Sequence, residues 1–350
     1  FEADVHVCRT TGELRKLVAE ADVLMTLGAV LLVYPFLART GKPLVVDAYD
    51  PFLLAGLELC RDADLEEQVT RNEHYRRAHL LALHAADLIL CASERQRDYW
   101  LGMLTALGRI NPFTYAADPT LSRLVRVVPF GLPREPPRST RRVMKGVHPG
   151  IREEDRVVLW GGGLWPWLDP QTAIRAMARL ADPAPDLKLL FMGTRRPNPE
   201  VTRQMTAAEE AMRLSADLGL TGRTVFFNDW VPYADRQNFL LEADLGITLH
   251  GDAVETRFAF RTRVLDCLWA GLPLIATEGD TLSQEMQEHG AAVTVPPGDD
   301  RAVADALLAL TASPDRRTED RARLEALAEQ YRWEAVAAPR VEFCRDPRPS

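Results

Sequence analysis

The chain has 350 residues, 47% hydrophobic and 26% charged, globular values for a chain too long for one ordinary core and suited to two domains. A formal net charge of −8 argues against generic nucleic-acid binding, where a basic surface is expected, but leaves room for a local basic pocket. The longest apolar run, residues 29–38, is broken by Pro35 and falls far short of the roughly 18 residues a spanning helix needs, so the reading is no transmembrane segment, with peripheral membrane contact left open.

In chain order, short runs rich in branched apolar residues alternate with helical patterns. Strands are expected at 4–8, 23–27, 44–48, 88–91 and 125–129, then at 157–161, 187–192, 224–227, 245–249, 273–276 and 292–295. Short strands flanked by helices read as buried parallel strands joined by right-handed crossovers, hence an α/β fold of two doubly wound, Rossmann-like domains facing a cleft. Ala21-Asp22-Val23, Ala86-Asp87-Leu88 and Ala243-Asp244-Leu245 each close a helix and open a strand. The proline- and arginine-rich run PREPPRSTRRVMKGVHPG marks a linker, its basic residues either solvated or facing an anion. The expected division is 1–133, a linker at 134–150, a second domain at 151–331, and a tail at 332–350 packing back toward the first. The chain opens at Phe1 in what reads as the end of a loop, so the first domain is expected to lack its first strand.

Cys8, Cys60, Cys91, Cys267 and Cys344 are scattered, odd in number and without metal-like spacing; the simplest setting is reducing and cytoplasmic, with no metal site. No Gly-x-Gly-x-x-Gly opens a helix after a strand, which leaves a nicotinamide enzyme little support. Instead Gly161, Gly162 and Gly163 follow the first strand of the second half and lead through Trp165 and Trp167 to a helix at Pro170. They suit either a phosphate cradle or a tight turn with positive φ. The tryptophans suit a sugar or base face, or a core gap.

In FRTRVLDCLWAGLPLIAT, Thr262, Asp266 and Trp269 share one helical face, and Asp266 lies in an otherwise apolar run. A carboxylate there needs a partner, either Arg263 or Thr262 on its own helix or the vicinal hydroxyls of a ribose. Arg261 and Arg263 stand at the start of this helix, an unfavourable place for positive charge unless it serves a ligand, with Arg257 behind them. Arg195 and Arg196 follow another strand. His250 ends a strand and lines a cleft or serves structure; Asp47, in the Asp47-Ala48-Tyr49-Asp50-Pro51 turn, is an acceptor-side candidate. Asp50 reads as a helix cap, and Ser93 with Gln96 as a capping box.

The order strand, Ala-Asp, strand, polar loop, then a helix with an acid five residues before Gly-Leu-Pro-Leu-Ile-Ala-Thr resembles the retaining GT-B glycosyltransferases of the large group 1 type. Val127-Val128-Pro129-Phe130-Gly131 looks like the family's link out of its first domain. The resemblance implies transfer of a hexosyl unit from a nucleoside-diphosphate sugar to a carbohydrate, lipid-linked or small-molecule acceptor, with retained configuration and no cofactor beyond the donor. It implies that Asp266 holds the donor ribose and that Trp230-Val231 meets the nucleobase. Two departures stand out: Phe258 occupies the position of the family's other glutamate, and Gly163 and Leu168 the positions of its basic pair. The expected substitutes are Glu255 at the sugar, and Arg261, Arg263 and the Gly161–Gly163 amides at the diphosphate, with Arg195 second. The competing readings are a nucleotide-sugar-binding protein without catalysis and an epimerase on the same fold.

Overall fold

A computed structural model describes residues 3–195, 197–198, 206–312 and 316–347, with the side chains of 316–322 excepted. The chain divides into two compact units, one of Phe1–Leu53, Asp64–Val128 and Ala338–Ser350, the other of Leu54–Ala63 and Pro129–Ala337.

The first unit is built on four parallel strands in the order β1-β2-β3-β4: β1 (Leu24–Leu27), β2 (Leu44–Asp47), β3 (Leu88–Cys91) and β4 (Val125–Val127). The second holds six parallel strands: β5 (Arg156–Trp160), β6 (Leu187–Phe191), β7 (Val225–Phe227), β8 (Leu245–Thr248), β9 (Leu274–Thr277) and β10 (Ala292–Val295). Their order, β10-β9-β8-β5-β6-β7, reverses direction beside β5. The carboxyl ends of strands at such a switch point are where ligands bind in doubly wound sheets. Strands β3, β6, β8 and β9 are buried at every position, as strands covered by helices on both faces must be.

The α/β expectation holds, with one strand misplaced. Residues 3–9 carry no regular structure, and Val5 and Val7 are exposed. The run 4–8 offers only two alternating valines, too little apolar surface to fix a strand. The Ala-Asp joints have a physical cause. Asp87 accepts the Leu44 N–H at 2.8 Å and donates its own N–H to the Leu44 carbonyl at 2.8 Å. Asp244 does the same with Val157, at 2.7 and 2.9 Å. Each aspartate thus fastens the start of the neighbouring strand with a reciprocal pair of bonds, of which alanine could supply only the backbone one.

The core of the second unit joins Trp160 and Phe191, both fully buried with ring centroids 5.4 Å apart, to Ile174, Met177 and Leu180 of the helix Pro170–Leu180. In the first unit, the tail helix Ala338–Arg345 adds Phe343 to a cluster with Val45, Leu88 and Leu90, and Arg126 pairs with Glu342 at 2.7 Å. Gly131 is required sterically, since a Cβ there would lie 2.5 Å from the Trp333 ring. No helix among the described residues is long and apolar enough to cross a membrane.

The linker backbone is tied down, while Arg134, Arg138, Arg141 and Arg142 are exposed, as solvated basic residues would be. Glu242 accepts the backbone N–H groups of Val143, Met144 and Lys145 at 2.7, 2.8 and 3.1 Å, and the Lys145 ammonium reaches Asp244 at 2.7 Å. Arg141 pairs with Asp235, Arg142 with Glu153, and the Thr140 N–H donates to Asn238. Glu242→Ala removes the acceptor of three N–H groups at once. It should destabilise this unit by about 1.5–3 kcal/mol, the scale of hydrogen bonds to a charged group. Hydrogen exchange should speed up at residues 143–145 while the β5–β6 ladder keeps its protection.

Candidate functional site

A pocket of about 250 Å³ opens at the carboxyl ends of β5, β6 and β7. The turn after β5 supplies Gly162, Gly163 and Trp165; Met192 and Gly193 follow β6; the loop after β7 brings Trp230, Val231 and Tyr233. Arg236 comes from the helix Arg236–Glu242, and Thr262, Arg263 and Asp266 from the helix Thr262–Ala270. Gly162 has φ +80°, a conformation that favours glycine, and an added Cβ there would sit 3.8 Å from the Arg263 guanidinium. The glycine turn and the arginine helix therefore meet at one place.

Asp266 is held by a residue the sequence does not single out. Arg236 Nε donates to Asp266 Oδ1 at 3.0 Å, the arginine side chain being 10% exposed and the aspartate 32%. The guanidinium is fixed on every side. Its carbon lies 3.6 Å from the Tyr233 ring centroid and 4.7 Å from that of Trp269, and Nη1 donates to the Tyr233 carbonyl at 3.1 Å. Burial pushes the Asp266 carboxyl above the ordinary carboxylate range, a rise that Arg236 and, less, Arg263 oppose. Of the two partners expected on the helix itself, Thr262 and Arg263, neither is the one that Asp266 takes for its ion pair. A 30-residue separation carries no helical periodicity, so only the need for a counter-charge pointed toward Arg236.

Arg263 is half-buried in the pocket wall. Its Nη2 donates to the Gly163 carbonyl at 2.9 Å, and its guanidinium carbon lies 5.9 Å from the Trp160 ring centroid. It supplies positive charge beneath the glycine turn, where Gly163 and Leu168 supply none.

Glu255 and Arg261, expected at the sugar and the diphosphate, pair with each other at 2.6 Å and are 5% and 7% exposed. Neither lines the pocket. A buried charge must be neutralised, and each has found its counter-ion in the other. His250 lies close by and is fully buried. Its Nδ1 sits 3.1 Å from the Gly251 carbonyl and 3.3 Å from Thr256 Oγ1, while its Nε2 has no partner. Burial, and then the charge of Arg261, push its pKa below the usual histidine value, so the ring is neutral near pH 7.

The remaining candidates scatter. Trp165 and Trp167 stack on each other, centroids 5.4 Å apart, and pack against the core; only Trp165 reaches the pocket. Gly161 lies outside the pocket lining. Arg195 is exposed and its backbone N–H donates to the Asp229 carbonyl, whereas Arg196 lies outside the described residues. Arg257 is exposed, 5.9 Å from the Phe258 ring. Asp47 belongs to a separate cavity in the first unit. Ser93 caps its helix by accepting the Gln96 N–H, but Gln96 Oε1 takes the N–H of Ala92, one residue earlier than a capping box requires. Among the described residues no group of three or more His, Cys, Asp or Glu side chains is placed to hold a metal ion.

Comparison with known proteins agrees with this fold. A sucrose-phosphate synthase from Thermosynechococcus elongatus is similar in structure at a TM-score of 0.65 and 17% identity, over 97% of this chain and 80% of that one. Anabaena HepE in complex with UDP-glucose is similar at 0.66 and 18%, over 96% and 84%. A UDP-forming α,α-trehalose-phosphate synthase from Burkholderia vietnamiensis is similar at 0.68 and 13%, over 95% and 76%. No curated protein matches at the level of sequence. Residues 155–313, which contain the whole pocket, match the family model described as glycosyl transferases group 1. The fold is that of the GT-B glycosyltransferases, and the chain carries a glycosyl transferases group 1 domain.

Proposed function

We propose that the protein transfers a hexosyl unit from a nucleoside-diphosphate sugar to an acceptor hydroxyl, with retention of configuration. The observation that carries this reading is the convergence, in one pocket, of the Asp266–Arg236 pair, Arg263 and the Gly162–Gly163 turn. Asp266 accepts the ribose hydroxyls, its second oxygen free for the task because Arg236 engages the first. Arg263 and the backbone amides of the turn face the diphosphate. Trp230, 41% exposed, and Val231 offer an apolar edge to the base.

In such a site the chain's own groups act by electrostatics. They lower the energy of the departing diphosphate, whose oxygen takes the acceptor proton as the new glycosidic bond forms on the same face of the sugar. No cofactor beyond the donor enters this proposal, and Glu255, Arg261 and His250 act through position rather than contact. UDP-glucose is the first donor to test, since HepE is described in complex with it and the trehalose-phosphate synthase as UDP-forming. Five cysteines, three of them buried and none in a disulfide, support a reducing, cytoplasmic setting. A carbohydrate, a lipid-linked acceptor at a membrane surface or a small molecule would each supply the hydroxyl.

Transfer of labelled glucose from UDP-glucose to an acceptor, with the product anomer assigned by NMR, tests the proposal. An α-linked product supports it. An inverted product contradicts retention, release of free UDP-glucose unchanged supports a binding protein, and recovery of an isomerised nucleotide sugar identifies an epimerase. Arg263→Ala should lower kcat by about 10²–10³, the range seen when one preorganised donor to a developing negative charge is removed.

The pH dependence has a defined sign. Asp266 must be ionised to accept hydroxyls, and burial raises its pKa. Nucleotide affinity should therefore fall on acidification at a pH above the ordinary carboxylate range. That acid limb should vanish in Asp266→Asn, whose weaker binding should be flat with pH.

A further inference from the structure

A second cavity, of about 320 Å³, lies wholly within the first unit at the carboxyl ends of β1 and β2. An engineered dry cavity of about 150 Å³ already accepts benzene, so this one has room for an aromatic ring and a substituent. Its walls include Val46, Ala48, Phe52, Ala78, Ala82 and Leu83. The three last come from one face of the helix Leu65–Ala85, where alanine at both 78 and 82 leaves the space that larger side chains would fill.

The polar lining combines the acceptors Asp47 and His79 with Tyr49, Tyr75 and His74, which can donate as well as accept. Asp47 ends β2 and takes the Tyr49 N–H on Oδ1 at 3.2 Å. His79 has Nδ1 2.8 Å from the Tyr75 carbonyl, so that nitrogen carries the proton and Nε2 is an acceptor when the ring is neutral. Burial favours the neutral ring, and it stacks on Trp100 with centroids 5.6 Å apart. Asp50 adds a second carboxylate to the lining.

We propose that this cavity binds a small, non-anionic molecule with an apolar body and a hydroxyl or ammonium donor, the body against the alanine face and the donor toward Asp47 and His79. An anionic head would meet the Asp47 carboxylate, whereas a hydroxyl or ammonium can donate to it. The proposal stands apart from the transferase reading, since the ligand is bound here without nucleotide.

The test is calorimetric titration of the full chain with benzyl alcohol, benzoate and glycerol. Benzyl alcohol should bind at least tenfold more tightly than benzoate, which has the same body with an anionic head, and than glycerol, which has donors and no apolar body. Ala29→Phe, at an exposed rim position, and Ala48→Leu, inside the cavity, should each abolish binding while circular dichroism confirms the fold. Asp47→Asn should narrow the gap between alcohol and benzoate. Failure of benzyl alcohol to bind, equal binding of benzoate, or unchanged binding in both alanine variants would overturn the proposal. If binding is found, hydroxyl-bearing aromatic molecules become acceptors to try with UDP-glucose; absence of transfer would count against that pairing and leave the binding result standing.

Discussion

A carboxylate on a largely buried helix is the constraint around which the second unit is arranged. Asp266 cannot stay ionised among Val264, Leu265 and Leu268 without a counter-charge, and Arg236 provides one across 3.0 Å. The arginine is itself costly to bury. Tyr233 and Trp269 lie over its guanidinium and the Tyr233 carbonyl takes another of its protons, so two rings and two acceptors hold the charge in place. The result is a carboxylate whose position is set by packing rather than by the flexibility of its own chain, as a binding group needs to be.

The same unit contains a second acid–base pair with the opposite character. Glu255 and Arg261 are buried together at 2.6 Å, next to a neutral His250, and neither charge reaches the pocket. Its site is closed, whereas the Asp266–Arg236 pair keeps about a third of the aspartate open. The two pairs differ in exposure, and only the Asp266–Arg236 pair opens onto the pocket. Arg263 completes the arrangement by placing its charge under a glycine turn that lacks a basic residue of its own.

The alternation of strands and helices, the Ala-Asp joints, the glycine turn and the place of Asp266 were legible because each rests on local spacing. Periodicity located ten strands, and it failed at residues 4–8, where two valines mimic a strand too slight to form. Partnerships across the chain were hidden. Arg236 stands 30 residues from Asp266, Glu242 about 100 from the N–H groups it accepts, and no periodicity links such positions. Arg261 shows the limit of charge reasoning. A cation at a helix start signalled that something anionic faced it, and the anion beside it in the structure is Glu255. Trp165 and Trp167 were ambiguous for a related reason, since stacking on each other and stacking on a sugar place the same demand on sequence.

Calorimetric titration of UDP into the wild-type chain and into Asp266→Ala tests the central claim most directly. The account predicts that UDP binds and that the substitution weakens binding by about 1–3 kcal/mol, the scale of lost hydrogen bonds to a charged acceptor, measured on protein still folded despite the loss of Arg236's partner. Affinity unchanged in Asp266→Ala, or a variant that loses stability while binding UDP as before, would contradict it. The carboxylate would then be a structural partner of Arg236 alone.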